Sequence, residues 1–316
     1  MKKKFVQDIQ VGDFINDVFI TSDKTIAQKK DGQPFLVVKL SDKTGTIRGV
    51  LWDEIDKYCD AFNKQDYVNI NAKSIEYNNE VQLTINVIEL SNIENINPYD
   101  FMPSTSRDVD QMLEHLKKLI NSIQNPFLKQ LLNLFFSDDV FSETFKKAPA
   151  AKKMHHAYLG GLLEHTLSVA LLVEKVLNNH YRDVNIDLLM TGAILHDIGK
   201  IKEFNYDKTI DYSDEGRLLS HIVIGVQMID EKIRQIKNFP EETAVLLRHL
   251  IVSHHGTREF GSPEPPKTLE AVILNQLDDL DSKVIGIRDF MKKENNDNSW
   301  TSYHRIHQRF FYKGKQ

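Results

Sequence analysis

The chain has 316 residues, too many for one small hydrophobic core and about the number expected for two domains. Hydrophobic residues make up 41% and charged residues 27%, a soluble globular composition, and no apolar run is long enough to span a bilayer. The net charge of −5 means that a nucleic-acid-binding function would require a local basic surface.

The cysteine content and the first residues predict a cytoplasmic protein. Cys59 is the single cysteine, so an internal disulfide is excluded, which fits a reducing compartment. Residues 1–4 (Met-Lys-Lys-Lys) resemble the charged start of a signal peptide. The apolar segment that should follow is interrupted at once by Asp8 and Gly12. We therefore expect neither a signal peptide nor a membrane anchor.

Residues 1–92 show the patterns of short β-strands. Five runs are rich in β-branched and aromatic residues: 18–20, 35–40, 46–52, 67–70 and 81–85. Turn sequences separate several of them: Asp31-Gly32, Asp42–Gly45 and Asn78-Asn79. One short helix is predicted from Asp53 to Phe62, between the third and fourth strands. This element order is that of an OB-fold barrel, which binds single strands on strands two and three and on the adjoining loops.

That fold places several side chains where a nucleic acid would bind. Phe35 and Trp52 are candidates to stack on bases. The cationic candidates for phosphate contact are Lys24, Lys29, Lys30, Lys39 and Arg48. The alternative is that the aromatic rings fill the barrel core and that the basic side chains are ordinary solvated residues.

After a polar connector that contains Pro98 and Pro103, the hydrophobic period becomes helical. Helices are predicted near 112–123 and 127–136, and further helices with short loops follow to about residue 293. The expected fold class is therefore a multidomain protein of α and β structure, a five-stranded OB-fold barrel followed by an all-α bundle. Its predicted parts are a nucleic-acid-binding domain at 1–92, a connector with lead-in helices at 93–154, a helical domain at 155–293 and a basic, aromatic tail at 294–316.

Histidines and aspartates recur on five consecutive predicted helices of the second half. They are His165, the pair His196-Asp197, His221, His254 and Asp278. Each one alone is typical of an ordinary core or surface residue. Together, in apolar surroundings where an unpaired polar group is costly, they favour a shared metal site. Imidazole and carboxylate ligands without thiolates suit divalent Mn, Fe, Co, Ni or Zn in an open site that hydrolyses phosphate esters.

The order of these residues resembles the HD superfamily of metal-dependent phosphohydrolases. The motif of that family is a histidine, a His-Asp pair and a distal aspartate, matched here by His165, His196-Asp197 and Asp278. His221 and His254 match the additional histidines of members that bind two metals. For those members the resemblance implies that Asp197 bridges the two ions.

An OB fold followed by an HD domain is similar to the YhaM family of 3′→5′ exoribonucleases, and segments 147–153, 155–166 and 253–256 resemble that family. The resemblance implies a site for one or two Mn²⁺ ions. It also implies that the protein cleaves single-stranded RNA, and single-stranded DNA as well, from the 3′ end. A metal-bound hydroxide would attack the phosphodiester. Lys200 is a candidate to stabilise the charge that develops on phosphorus. His255 is a candidate to contact phosphate or to support the metal ligands.

Two other functions stay open at this point. A nucleotide phosphohydrolase also uses an HD site, although it has no evident need for an OB module. A non-catalytic, replication-associated protein that binds single-stranded DNA would need that module, although a relic site should have lost ligands. A cyclic-dinucleotide phosphodiesterase is disfavoured because its Gly-Tyr-Pro signature does not occur in the sequence. The tail Arg305–Lys313 could bind RNA or dock on a second subunit, and we consider a homo-oligomer compatible with the sequence.

Overall fold

The computed structural model describes residues 2–92, 96–152, 156–177, 181, 183–294 and 298–314, so residues 153–155 of the family-like segments lie outside the described part. The chain divides into two compact units, Met1–Ser104 with Tyr206–Thr209 and Thr105–Asn205 with Ile210–Gln316. The domain boundaries proposed from the sequence at residues 92, 154 and 293 remain predictions. Among the described residues, no helix combines the length and the hydropathy needed to cross a membrane.

A closed five-stranded barrel forms the first unit. Its strands are β1 (Phe14–Gln28), β2 (Pro34–Asp42), β3 (Gly45–Leu51), β4 (Tyr67–Tyr77) and β5 (Glu80–Leu90). They are hydrogen-bonded in the order β1-β2-β3-β5-β4, and β4 pairs back to β1 to close the barrel. β3 and β5 run parallel, whereas the other neighbouring strands are antiparallel. The predicted OB-fold barrel is therefore confirmed.

The alternating sequence pattern fills the core of this barrel. In β2, the side chains of Leu36, Val38 and Leu40 are buried, while Lys39 between them is exposed. The link between β4 and β5 is Asn78-Asn79, with φ values of 52° and 63°. Two successive residues with positive φ are what a tight turn between twisted antiparallel strands requires.

The helix between β3 and β4 is shorter than the sequence predicts. α1 covers Ile55–Tyr58, whereas the prediction ran from Asp53 to Phe62. The carbonyl groups of Cys59 and Phe62 accept hydrogen bonds from the ammonium group of Lys24. Both carbonyls lie beyond the end of α1, so this contact fixes the chain that follows the helix.

The second unit is helical. Its lead-in helices are α2 (Val109–Ser122), α3 (Pro126–Phe136) and α4 (Asp139–Lys147). Each of these begins at a side-chain cap, in which Asp108, Asn125 or Asp138 accepts hydrogen bonds from backbone N–H groups of the first turn.

Five further helices carry the candidate ligands. They are α5 (Gly161–Leu177), α6 (Ile186–Leu195), α8 (Asp214–Ile233), α9 (Glu241–Ser253) and α10 (Leu269–Lys293). Between α6 and α8 lie the short helix α7 (Lys200–Glu203) and a ribbon of β6 (Phe204–Asn205) and β7 (Asp211–Tyr212). The prediction that the ligand helices are consecutive was therefore wrong. α6 is buried from Leu188 to Leu195 and contacts α3, α5, α9 and α10, which places its C-terminal end inside the unit.

Candidate metal centre

Side chains from all five of these helices converge on one buried cluster. They are His165 of α5, His196 and Asp197 after the end of α6, His221 of α8, His254 after the end of α9 and Asp278 of α10. The Asp278 side chain is 14% exposed, and the others are more deeply buried. The structure thus brings together all six residues that the sequence pattern singled out as metal ligands.

The turn after α6 directs the adjacent residues His196 and Asp197 toward this cluster. Its close approach to α8 depends on Gly199. A Cβ atom at Gly199 would lie 2.0 Å from the carbonyl oxygen of His221 and 2.7 Å from the backbone nitrogen of Gly225. Because any larger residue would collide with backbone atoms, the glycine allows Asp197 and His221 to face each other.

One carboxylate oxygen of Asp197 faces His165, His196 and Asp278, which we call the first half of the cluster. Asp197 Oδ2 lies 3.5 Å from His165 Nε2 and 3.3 Å from His196 Nε2. His165 Nε2 is also 3.1 Å from Asp278 Oδ1 and 3.1 Å from His196 Nε2. Two ligand atoms held at about 2.1 Å from one ion lie roughly 3 to 3.5 Å apart, so these separations suit a shared cation.

The other oxygen of Asp197 faces His221 and His254, which we call the second half of the cluster. Asp197 Oδ1 lies 3.5 Å from His221 Nε2 and 3.6 Å from His254 Nε2. All three atoms are buried and find no hydrogen-bond partner among the described residues. Buried polar atoms are seldom left unpaired, because each one costs free energy. Three such atoms aimed at one point fit a divalent cation, and the donor set of imidazole and carboxylate suits the transition metals.

The histidines of the cluster share one hydrogen-bonding pattern. Each donates its Nδ1–H to an oxygen atom: His165 to Asp281 at 2.8 Å, His196 to Ala193 O at 2.9 Å, His221 to Glu203 at 3.0 Å, His254 to Ile251 O at 2.6 Å and His255 to Phe260 O at 2.8 Å. Nε2 is therefore the nitrogen of each ring that is left to bind a metal, and at His165 a bound cation would have to displace the proton that its raised pKa keeps there. Such outer hydrogen bonds orient a ligand ring and raise its basicity.

The pKa of His165 in the first half of the cluster shifts in the opposite direction to the pKa values of His221 and His254 in the second half. Burial lowers the pKa values of His221 and His254, so both rings are neutral and able to coordinate at pH 7. Burial also disfavours charge on His165, but hydrogen bonds to Asp278 and Asp281 outweigh it and raise the pKa of His165 to about 10. At Asp278, burial opposes ionisation, yet His165 and the neighbouring histidines lower the pKa.

Lys200 and His255 also reach this cluster. The Lys200 ammonium lies 2.6 Å from Asp197 Oδ2. Although burial opposes ionisation of Asp197, Lys200 and His196 hold its pKa well below the usual range. His255 has a ligand-capable nitrogen within 4.8 Å of those of His221 and His254 and of an Asp197 oxygen, and burial lowers its pKa to about 4. His255 therefore stands beside the second half of the cluster as a potential ligand.

Two carboxylates behind the cluster were missed by the sequence analysis. Asp281 accepts from His165 Nδ1 and, at 2.5 Å, from the hydroxyl of Ser168. Its spacing of three residues from Asp278 on α10 was an available signal, because residues three apart share a helix face. Glu203 accepts from both the backbone N–H and the Nδ1–H of His221, each at 3.0 Å. No local pattern marks Glu203, which lies in the four-residue helix α7.

The candidate nucleic-acid contacts of the barrel fall into separate groups. The rings of Phe35 and Trp52 stack with centroids 4.7 Å apart and planes at 24°, and Trp52 is 40% exposed. Lys39 and Arg48 are cross-strand neighbours on β2 and β3, and both are exposed. The structure therefore brings together one aromatic pair and one basic pair.

The other three lysines differ in their surroundings. Lys30 is exposed. Lys29 lies 3.8 Å from Asp53 and near the ring of Trp52. Lys24 donates to backbone carbonyls and sits 4.0 Å above the ring of Phe62. The ammonium group of Lys24 is thus engaged within the barrel and does not join the basic pair.

Comparisons with known proteins match both units. A model of the HD domain matches residues 162–283, and a model of an OB-fold nucleic-acid-binding domain matches residues 21–91. The 3′-5′ exoribonuclease YhaM of Geobacillus sp. (strain WCH70) is 32% identical over 311 residues, which cover 98% of this chain and 95% of that protein. The protein of the same name from Bacillus subtilis (strain 168) is 32% identical over 276 residues, 87% of each chain.

Among solved structures, the second OB-fold domain of replication protein A from Methanococcus maripaludis is 20% identical and covers 31% of this chain and 99% of that one. Its TM-score of 0.24 is too low to support a structural relationship.

Proposed function

Because the chain belongs to the YhaM family of 3′→5′ exoribonucleases, we propose that it removes nucleotides from the 3′ end of single-stranded RNA in a metal-dependent reaction. Single-stranded DNA is proposed as a second substrate. The single observation that supports the metal requirement is the set of three buried, unpaired atoms of Asp197, His221 and His254. Hydrolysis of a phosphodiester is the chemistry for which such a centre is suited.

Two ion positions are proposed. The first would be held by His165, His196, Asp278 and Oδ2 of Asp197, and the second by His221, His254, His255 and Oδ1 of Asp197. Mn²⁺ is the proposed metal, by family resemblance. A divalent ion bound there supplies Lewis acidity, which polarises the scissile phosphate and makes water a stronger nucleophile at neutral pH.

The chain's own residues prepare this centre for an anionic substrate. The outer hydrogen bonds to Asp281 and Glu203 fix the rings of His165 and His221 before any substrate arrives. The Lys200 ammonium, 2.6 Å from Asp197, is placed to neutralise negative charge on a phosphate bound at the cluster. We therefore assign Lys200 the role of binding the phosphate.

The barrel is proposed to hold the single strand. The stacked pair of Phe35 on β2 and Trp52 just after β3 offers a partly exposed aromatic platform, and the exposed side chains of Lys39 on β2 and Arg48 on β3 offer positive charge. Aromatic stacking and phosphate neutralisation are the two interactions by which OB folds bind single strands without sequence preference. Lys30 is proposed as a further phosphate contact.

The test is a double variant that removes the central pair, His196→Ala with Asp197→Ala. Since both halves of the cluster lose a ligand, we expect loss of RNA cleavage with Mn²⁺, while binding of single-stranded RNA is retained. Mn²⁺ should also raise the melting temperature of the wild type but not of the double variant, because only an intact site binds the ion in the folded state.

Glu114→Ala with His115→Ala is the matched control, since it removes an adjacent acid and histidine that are exposed on α2. It should keep both cleavage and the response of the melting temperature to Mn²⁺. Wild-type turnover by the His196/Asp197 variant would refute the metal assignment. Hydrolysis of nucleoside triphosphates without shortening of 3′-labelled or 5′-labelled RNA would instead identify a nucleotide phosphohydrolase.

A further inference from the structure

The chain ends in an ordered antiparallel hairpin, residues 298–314, which we call the C-terminal hairpin. Trp300 pairs with Tyr312 and His304 pairs with Arg309. Backbone hydrogen bonds accompany these pairs, including Thr301 N–H to Phe311 O at 2.9 Å and His304 N–H to Arg309 O at 2.9 Å. The segment therefore folds back on itself.

This hairpin is anchored to α10, the helix that supplies Asp278. The ring of Phe290 meets the ring of His304 edge-on, with centroids 4.5 Å apart. The hydroxyl of Ser302 donates to Glu294 at 2.5 Å, and Thr301 is buried. One face of the hairpin is thus fixed within the helical unit.

Four aromatic rings remain half-exposed on this small element. Trp300 and Tyr312 lie with ring centroids 5.1 Å apart, and Tyr303 and Phe310 lie 5.2 Å apart. Their exposed fractions are 54%, 53%, 50% and 55%, respectively. Cross-strand aromatic pairs stabilise a hairpin, but a cluster of rings left this open to water is typical of a binding surface.

The charge of the segment indicates what kind of partner would bind there. Residues 298–316 contain Arg305, Arg309, Lys313 and Lys315 and no acidic residue, although the whole chain carries a net charge of −5. Arg305 and Arg309 are exposed, and neither forms an ion pair with a carboxylate in the part of the chain that the structure describes. A polyanion complements this surface.

A second copy of the chain is a weaker candidate partner. In a symmetric dimer formed through this face, both copies contribute the same positively charged patch, and residues 298–316 hold no acidic residue that could pair with the arginines of the second copy. Like charges brought together in this way repel. A single-stranded nucleic acid instead offers bases to the rings and phosphates to the guanidinium groups.

We propose that the C-terminal hairpin is a second stacking site for single-stranded RNA, in addition to the barrel. In this site the exposed rings, Trp300 foremost, stack on bases, and Arg305 and Arg309 bind phosphates. The inference rests on the proposed function for the identity of the ligand. It does not require that the chain cleaves RNA.

Tryptophan fluorescence gives a direct test in the full-length protein. The chain has two tryptophans, Trp52 in the barrel and Trp300 in the hairpin. Trp52→Phe leaves Trp300 as the single reporter. In buffer with a chelator, so that RNA is not degraded, titration with an oligouridine should change the Trp300 emission in a saturable way that weakens with salt. Stacking on an indole quenches or shifts its emission.

The arginines are tested in the same Trp52→Phe background. Arg305→Gln with Arg309→Gln should weaken the titration at least about ten-fold at low salt and flatten its dependence on salt concentration, because two phosphate contacts are lost. Both side chains are exposed, so the fold should tolerate the change, and circular dichroism checks this. The matched control is Arg234→Gln, an exposed arginine that lies roughly 20 Å along α8 from His221.

The outcomes separate the hypotheses. A salt-dependent change in Trp300 emission that the arginine variant weakens and the Arg234 control does not supports the hairpin site. No change in Trp300 emission at saturating RNA overturns it. If the arginine variant instead alters the sedimentation coefficient without altering RNA binding, the hairpin is a subunit contact and the proposal is wrong. RNA binding to Trp300 without any cleavage in Mn²⁺ would contradict the proposed function alone.

Discussion

Asp281 shows how a carboxylate behind the cluster can decide the properties of a candidate ligand, His165. Its carboxylate holds the Nδ1–H of His165 at 2.8 Å and is itself held by the hydroxyl of Ser168. The hydrogen bond fixes the ring so that Nε2 points at Asp278 and His196. The negative charge also makes the ring a stronger base, which strengthens its bond to a cation.

Asp281→Asn keeps the size of the side chain and removes its charge. We expect the affinity for Mn²⁺ to fall by about 10- to 100-fold, as for other outer-sphere partners of metal-binding histidines. The pKa of His165 should fall as well, because one of the carboxylates that raise it is lost. Calorimetric titration with Mn²⁺ measures the affinity, and RNA binding in chelator should be unaffected.

Asp279→Asn is the control for this change. Asp279 is the neighbour of Asp278 on the same helix, but it points to Lys283 on the exposed side at 2.6 Å. Exposed ion pairs of this kind contribute little to stability. Equal Mn²⁺ affinity in the Asp281 and Asp279 variants would show that Asp281 does not strengthen metal binding.

Residue types alone predicted much of the cluster, and the reason is physical. His165 lies in an apolar helix, and His196 and Asp197 directly follow one, so each is in surroundings where a polar side chain must be paired and its presence signals a partner. Glu203 gives no such signal, because acidic residues are common in short solvent-facing turns. Only the fold reveals that it is buried against His221. A sequence therefore identifies ligands better than it identifies the residues that orient them.

At the scale of elements, the site depends on how closely α7 and α8 approach. Gly199 begins the turn into α7 and lies against the backbone of His221. The helical pattern of α8 is also interrupted there, since Ser220 has φ 61° and ψ 160°. The kink frees the backbone N–H of His221, which donates to Glu203. The metal-facing position of His221 is thus built by two tertiary contacts.

Gly199→Ala tests this arrangement. Because the new methyl group would meet a backbone oxygen at 2.0 Å, rotation of a side chain cannot relieve the clash, and α7 and α8 must separate. We expect a loss of about 1 to 3 kcal/mol in the free energy of unfolding, the usual cost of overpacking, and a weaker response of the melting temperature to Mn²⁺. Denaturant titration measures the first quantity.

Gly225→Ala is the matched control on the other side of the same contact. The nearest atoms to a Cβ there are 3.5 Å away, an ordinary contact distance, and the residue is inside helix α8. Replacing a glycine in a helix with alanine should leave the protein as stable or slightly more stable. If both variants lose stability equally, the close approach at Gly199 is not the cause.

Local patterns predicted the elements with uneven success, for identifiable reasons. The five strands of the barrel follow from local runs of β-branched and aromatic residues, and the structure has all five. The kink at Ser220 and the approach of α7 to α8 depend instead on residues distant in sequence, Glu203 for the kink and His221 for the approach. Tertiary contacts override local preference at these points.

At the scale of the whole molecule, the chain joins a binding module and a hydrolytic centre that are built separately. The barrel carries the stacked pair Phe35 and Trp52, and the helical unit carries the candidate metal centre. If the barrel binds the strand and the helical unit cleaves it, the length of the substrate should decide which unit limits the rate of the reaction. Long single strands should depend on both units, whereas a dinucleotide is too short to need an extended binding surface.

Phe35→Ala with Trp52→Ala separates the two contributions. Stacking is worth about 1 to 3 kcal/mol per base, so removing the aromatic pair should lower kcat/KM on a long single-stranded RNA by at least about ten-fold. On a dinucleotide the decrease should be far smaller, since the metal cluster is unaltered. Phe14→Ala, which removes an 80% exposed ring at the start of β1, at the opposite end of that strand from Ala27, the cross-strand partner of Phe35, is the control and should show neither effect. Equal losses on long and short substrates would mean that the aromatic pair supports the fold of the enzyme and does not bind RNA.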